Sequence, residues 1–589
     1  MGQKKSALSQ TGTRNFILRK LCECMLTLFI VTVISFVLMK ISPIDPAVAQ
    51  AQRLMNATPE YIAQLREEMG LNDPLPMQYI RWLKDAVHLD FGTSIVNGRN
   101  VYSEVTQAFL FTLTTVLLAM IIEAIGSVLV ACPLYWKRKR LSGRFMEIIC
   151  FIIFTIPTFF VASWFLDLFA LKLGWISISG NVGLKRYLPA ALCISLNGIA
   201  FFSQMLAKGL ERGMQEESAF YCRCRGLSER RILIFHAFPQ AVSEVVPSFM
   251  QVMALSLAGS IIVERIFSLP GLGYLVIESV LNRDAPMIHA AIVYLAFSIV
   301  LFIRFRIFYS VYYPVVPQRR CDMQKKRKLP IYAVLSIAFL IFCSTGFLLA
   351  PNDPKALTLE AKLLSPCMSY PFGTDELGRC IFSRILMGGY VTLGMALCSA
   401  AIVAVAGTAA GLLLGHAGSG KRVVVDSAIN AATAIPPIAY LVIFNGIWGN
   451  SIPTMMVALT ASLILRMVKL VKTLTEIEMG KAYIMCMVSS GATKNGILFA
   501  HVLPNIAGEI VHFLCLSCAE MIVGISAFSF IGFTLGDEVI DWGSMLASAR
   551  KLMGVKPSLL FYPSLFIFLS TVSFNMLGRL FQKENTDHA

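Results

Sequence analysis

The chain has 589 residues, 56% of them hydrophobic and 15% charged, with a formal net charge of +16. Soluble domains carry about 25% charged residues, so this composition, with a mean hydropathy of +0.68, excludes an ordinary soluble globular protein. A cationic soluble protein would suggest nucleic acid. Here the cations crowd into short loops between apolar runs, the orientation signal of membrane proteins, so lipid is the expected environment and no nucleic-acid partner is expected.

A membrane-spanning helix needs roughly 20 apolar residues. The first such run, 21–41, follows Lys4, Lys5, Arg14, Arg19 and Lys20. Ala47-Val48-Ala49 mimics a cleavage site, so a secretory leader is the alternative reading of this segment. Either way the basic N-terminus is expected in the cytoplasm and residue 45 outside. Residues 42–104 are polar and carry Asp45, Glu60, Glu67, Glu68, Asp73, Asp85 and Asp90. They are expected outside, with helices near Pro59–Gly70 and Pro76–Val87. Further spans are expected near 106–132, 145–168, 188–207, 244–263 and 287–313. Their inward connections are basic: Lys137 to Arg140, Lys208 to Arg231 and Arg304 to Lys328.

Residues 1–316 thus form a first half with six crossings. Residues 317–328 (PQRRCDMQKKRK) read as a short cytoplasmic linker. Residues 329–589 repeat the plan, with spans near 331–350, 388–414, 424–447, 452–471, 506–532 and 558–580. The second outside segment, 351–383, is shorter, and both termini are expected in the cytoplasm. The spans are expected to be α-helices, because a helix satisfies its own backbone hydrogen bonds in lipid. The fold class is therefore all-α integral membrane, with about twelve transmembrane helices.

One stretch occurs twice. Residues 226–239 read GLSERRILIFHAFP and residues 491–504 read GATKNGILFAHVLP. At an offset of 265, Gly226 meets Gly491, Ile232 meets Ile497, Leu233 meets Leu498, His236 meets His501 and Pro239 meets Pro504. Matching devices in two halves indicate a fused duplication. The charges of 208–236 forbid placement in hydrocarbon. Gly226 and Gly491 suit turns with φ > 0 and little room for a side chain, and Pro239 and Pro504 suit the start of the following helix. The alternatives are a solvated loop with basic anchors and a docking surface, and the paired register favours docking.

Two weaker echoes accompany it. Thr155-Ile156-Pro157-Thr158 and Ala434-Ile435-Pro436-Pro437 put proline inside a span in each half, so Pro157 and Pro436 are either packing kinks or bends lining a pathway. Phe267-Ser268-Leu269-Pro270-Gly271 echoes Phe528-Ser529-Phe530-Ile531-Gly532 near the outer end of a span.

At these residues the chain resembles the membrane subunits of ABC importers of the dipeptide, oligopeptide and nickel family, whose cytoplasmic EAA loop docks on ATPase subunits. The first half is similar to the B-type permease at Gly70 to Leu75, Gln78 to Leu83, Val263–Gly273 (VERIFSLPGLG) and Leu281 to Asp284. The second is similar to the C-type partner at Phe372–Arg379 (FGTDELGR), at His501 to Asn505 and at Trp542 to Leu546. The family usually supplies these as separate chains. The EAA letters are absent, with Phe220-Tyr221-Cys222 and Met485-Cys486-Met487 in their place. The resemblance implies two six-helix type I ABC permease (MetI-like) repeats. It also implies docking loops that include Tyr221, Arg225, Gly226, His236, Pro239, Gly491, His501 and Pro504. The implied partners are two ABC ATPases, expected as a heterodimer, and an extracytoplasmic substrate-binding protein. Short peptides are the leading cargo, and nickel or a metal chelate the alternative.

No cofactor is expected on this chain, because ATP and Mg would be bound by the partner ATPases, and the chain itself is not expected to be an enzyme. Gly415 to Lys421 fits G-x-x-x-x-G-K, but Arg422 stands where a phosphate-binding loop needs Ser or Thr. The seven histidines are dispersed, Cys515 and Cys518 lie in an apolar span, and Cys367 and Cys380 are candidates for an outside disulfide. An ion-coupled secondary transporter, which also uses internal repeats, would need functional carboxylates inside spans. Glu123, Glu264 and Asp167 are the candidates for that rival.

Overall fold

The computed structural model describes residues 25–33, 36–37, 40, 46–53, 58–137, 140–175, 183–282, 284–312, 330–416, 425–426, 428–430, 433, 437–536, 538–552 and 554–581. Among them there is no β-strand, only two isolated bridge pairs. The first half begins with three short helices, α1 (Pro46–Arg53), α2 (Pro59–Glu68) and α3 (Leu75–Val87). It continues with α4 (Val101–Lys137), α5 (Leu141–Thr155), α6 (Thr158–Leu166), α7 (Leu188–Gln215), α8 (Glu217–Cys224), α9 (Glu229–Ile232), α10 (Phe238–Ile266), α11 (Leu272–Leu281) and α12 (Ala285–Tyr312). The second half holds α13 (Ile331–Thr345), α14 (Ile381–Ile402), α15 (Thr408–His416), α16 (Pro437–Trp448), α17 (Ile452–Met479), α18 (Ala482–Ser489), α19 (Lys494–Gly496), α20 (Leu503–Ile531), α21 (Trp542–Arg550) and α22 (Ser558–Phe581).

Among the described residues nine helices are long and apolar enough to cross a membrane, or ten if one bent pair counts as a span. The expected spans at 21–41 and 424–447 fall partly outside the described residues, and the linker 317–328 falls wholly outside them. The bent pair is α5 and α6, which meet at 90°. Pro157 sits at the break, where its ring and missing N–H end α5. Asn197 Nδ2 donates to the freed Ile156 carbonyl and to Thr158 Oγ1, both at 3.3 Å. Pro436 lies outside the described residues.

Close packing comes from small residues, as is common where lipid removes a hydrophobic drive between helices. A Cβ at Gly209 would lie 2.9 Å from Ala241, and one at Gly213 would lie 2.9 Å from Ala237. These two contacts seat α7 against the start of α10.

Each half also ends the polar segment that precedes its long helix, α4 or α14, in the same way. Phe91-Gly92-Thr93 and Phe372-Gly373-Thr374 both turn through a glycine at φ +78, and each turn closes with a bridge, Thr93 to Asn100 and Thr374 to Cys380. In the first half Ser94 Oγ donates to Asp284 at 2.5 Å and the Ile95 N–H donates at 3.2 Å, tying the turn to the start of α12. In the second, Lys556 Nζ donates to the carbonyls of Leu364 at 2.5 Å and Thr374 at 3.3 Å, tying it to the start of α22. Partial burial lowers the Lys556 pKa from the usual lysine value. The plan is shared, while the tying charge is an acid in one half and a base in the other.

Candidate functional site

The duplicated loops fold alike. In the first, α8 ends at Gly226, which has φ +78. Its N–H donates to Arg223 O at 2.9 Å, and the Leu227 N–H reaches back to Cys222 O at 3.2 Å. In the second, α18 ends at Gly491, with φ +80. There the Gly491 N–H donates to Val488 O at 3.1 Å and the Ala492 N–H to Met487 O at 3.1 Å. This is the glycine-terminated helix end that a left-handed residue permits. Each loop then makes a short helix and a π turn, Leu233–Ala237 in one and Ile497–Val502 in the other. Pro239 and Pro504 follow in the first turn of α10 and α20. The offset of 265 carries Glu217–Cys224 onto Ala482–Ser489 and Phe238–Ile266 onto Leu503–Ile531.

The same offset shifts one sequence echo. Phe267 follows the end of α10, whereas Phe528 lies one turn before the end of α20. The shared letters occupy the same neighbourhood but not equivalent positions, because helix ends fix the register and repeated letters do not. The expectation of little room at the two glycines is also corrected. A Cβ at Gly226 or Gly491 would meet nothing within 4 Å, so only the backbone angle demands glycine within this chain.

Both loops are pinned from beneath and bare above. Ala219, Ile232 and Ala237 are fully buried with Met214 under the first; Ile484, Ile497, Leu498 and Val502 are buried under the second. Arg223 donates to Glu229 at 2.8 Å and to the Met214 carbonyl at 2.9 Å. The hydrogen bond with Glu229 raises the Arg223 pKa. Tyr483 donates to Glu478 at 2.6 Å, and Asn505 donates to the same carboxylate at 3.1 Å. Outward stand Phe220, Tyr221, Ile234 and Phe235 in the first loop and Met485, Val488 and Phe499 in the second, all between 57% and 67% exposed. Contiguous exposed apolar side chains mark interaction sites. Arg225, His236, Pro239 and Pro504 are exposed beside them, and His501 is half-buried. Phe235 and Phe499 carry no separate signal in the sequence, since only the fold separates the buried from the bare members of one apolar run.

Glu264, near the end of α10, caps the start of α11. It accepts from Thr112 Oγ1 at 2.7 Å and from the N–H groups of Gly273 at 2.8 Å and Tyr274 at 3.2 Å. Thr112 Oγ1 also accepts from the Leu272 N–H at 2.8 Å. The second half reproduces this with Asp541, which accepts from Gly543 at 2.9 Å and Ser544 at 3.2 Å. Thr392 there accepts from the Trp542 N–H at 3.4 Å. Asp167 pairs with Lys172 at 2.8 Å. Glu123 fills the notch left by Gly198, both its oxygens buried without a hydrogen-bond partner. Of the three carboxylates, two are thus held in structural roles.

The halves meet along a seam. Phe159 of α6 packs on Phe530 of α20 with ring centroids 5.6 Å apart, and a Cβ at Gly446 would lie 2.5 Å from Val280. Near Pro157, therefore, the first half touches the second. The motif-like Gly415 lies in α15 against Thr475, not after a strand, and residues 417–424 lie outside the described residues. Cys367 is exposed, Cys380 is buried, and both are free thiols.

Residues 124–316 and 407–584 both match the binding-protein-dependent transport system inner membrane component, and residues 13–116 match the N-terminal component of such systems. The chain belongs to this family. It is a multi-pass inner-membrane permease of the ABC-importer type, carrying two MetI-like repeats on one polypeptide. The metal-staphylopine import system permease protein CntB of Staphylococcus aureus is 28% identical over 289 residues, 49% of this chain and 93% of that protein. A Brucella abortus protein named as a peptide transport system permease is 27% identical over 312 residues, 51% of this chain and 98% of its own length. The glutathione transport system permease protein GsiC of Shigella flexneri is 29% identical over 291 residues, 49% of this chain and 93% of its own. Each nearly complete relative thus matches about half of this permease.

Proposed function

We propose that this permease carries short peptides inward by alternating access, powered by two separate ABC ATPases that form a heterodimer and dock on loops 217–239 and 482–504. These loops and both termini face the cytoplasm. The turns at 91–100 and 372–380 face outward, where a substrate-binding protein delivers the cargo. The observation that carries this reading is the pair of congruent loops, each pinned below and apolar above, at an offset of 265. Their unlike exposed faces, two aromatics at 220–221 against Met485 and Cys486, suit unlike ATPases. Residue roles in docking are Tyr221 and Arg225 on the first surface, with the glycines shaping both. ATP and Mg are bound by the ATPases and not by this chain. Pro157 bends the first half where it meets the second, which suits a pathway wall, and Pro436 is proposed by analogy of sequence.

Relatives named for peptide and glutathione transport support peptide cargo. The relative named for metal-staphylopine import favours a second reading, uptake of a metal chelate by the same mechanism. Uptake of labelled tripeptide, nickel and chelated nickel by cells lacking this chain, and by cells with it restored, separates the two. Restored tripeptide uptake supports the first reading. Restoration of metal uptake alone overturns it.

A further inference from the structure

The seam has two crossings in related positions, and they differ in chemistry. Val280 stands near the end of α11 and fills the Gly446 notch. At the corresponding place in α21 stands Arg550, which donates across the seam to the Ile266 carbonyl at 3.1 Å. Ile266 ends α10, so this carbonyl belongs to a helix terminus that lacks an intrahelical partner and favours a cation. The Arg550 guanidinium also lies 5.8 Å from the centre of the Phe530 ring, the ring that Phe159 of the first half meets. The neighbouring Arg265 is balanced by Glu278 and lies over Tyr274. Among the described residues no carboxylate lies in ion-pair range of Arg550. The hydrogen bond of this cation across the seam, among the described residues, is thus to a neutral carbonyl, at the end of the bundle where Ser548 and Ala549 line a cleft with Asp375, Glu376 and Arg379.

We propose that Arg550 is the latch that closes this end of the seam, and that a carboxylate on the cargo opens it by taking the guanidinium from the Ile266 carbonyl. A carboxylate accepts two parallel N–H bonds from a guanidinium in fixed fork geometry and adds the attraction of opposite charges, which a neutral carbonyl lacks, so the exchange is favourable once cargo arrives. A free peptide supplies such a group, since its terminal carboxyl titrates far below neutral pH. This inference rests on the peptide reading given above and specifies the group on the cargo that the permease recognises.

The test uses the full complex with its ATPases and binding protein in proteoliposomes. The probes are labelled trialanine and its C-terminal amide. The wild type should show a KM at least about tenfold lower for the acid, the scale of one lost charged contact. Arg550→Gln should bring the two KM values within about twofold, and Arg550→Lys should fall between. Spin labels at Asn282 and Ser548, across the seam, should move apart in Arg550→Gln without cargo. Retained wild-type discrimination in Arg550→Gln, which would place that selectivity in the binding protein, overturns the cargo step. A wild type that treats both probes alike overturns it too. Unchanged label distances overturn the latch. If the wild type takes up neither probe, the peptide reading falls, and the label distances still decide the latch.

Discussion

Gly226→Asp and Gly491→Asp separate docking from folding, because a matched glycine exists at the other end of the bundle. Gly226 and Gly491 have φ of +78 and +80, and a Cβ at either would meet nothing within 4 Å. Gly449, between α16 and α17, has φ +79 and equally open surroundings. Left-handed backbone costs a residue with a side chain roughly 1–2 kcal/mol, so all three substitutions should carry the same local strain, which a folded permease tolerates. What differs is the surface. An anion placed in a desolvated contact without a partner costs several kcal/mol more, and each 1.4 kcal/mol is about tenfold in affinity. Gly226→Asp and Gly491→Asp should therefore cut ATPase co-purification by at least about a hundredfold and abolish uptake, with the chain still in the membrane. Gly449→Asp should retain co-purification, cargo-stimulated hydrolysis and uptake. If both loop variants keep wild-type co-purification, hydrolysis and uptake, the docking reading falls. If Gly449→Asp loses the ATPases equally, the effect is strain and not docking.

Three further outcomes are expected. Single cysteines at Glu60 and Phe220, in a cysteine-free background, should react with an impermeant reagent from opposite sides of the membrane; reaction from one side refutes the topology. Lys421→Ala should leave ATP binding by the complex unchanged, and nucleotide binding by the purified permease alone would refute the absence of a site here. Thr112→Val removes the hydroxyl shared by Glu264 and the Leu272 N–H, leaving buried polar groups unpaired at a cost of about 1–3 kcal/mol. It should lower the thermal stability of the detergent-purified permease without creating dependence on an ion gradient, whereas uptake driven by such a gradient without ATP would revive the secondary-transport reading.

The sequence by itself determined the membrane class, the duplication, the paired loops and the positions of the main spans. These follow from local chemistry: runs of about 20 apolar residues have few other destinations, and glycine and proline mark turns through backbone angles that neighbours cannot alter. It also holds a further echo. Phe91-Gly92-Thr93 and Phe372-Gly373-Thr374 match in letters and turn, but their offset is 281 and not 265, because the stretch from this turn to the paired loop is longer in the first half than in the second.

Tertiary structure alone decided the rest, because those roles depend on partners remote in the chain. Glu264 looked like a transport carboxylate until Thr112, 152 residues away, was found bound to it. Phe220 and Ile232 are alike in an apolar tally, yet one is 60% exposed and the other fully buried. Arg550 reads as one more loop cation until the carbonyl it meets proves to lie in the other half, 284 residues earlier. Hydropathy and turn chemistry are properties of a residue and its neighbours, whereas the work of a charge in a membrane protein is set by what the fold brings to it.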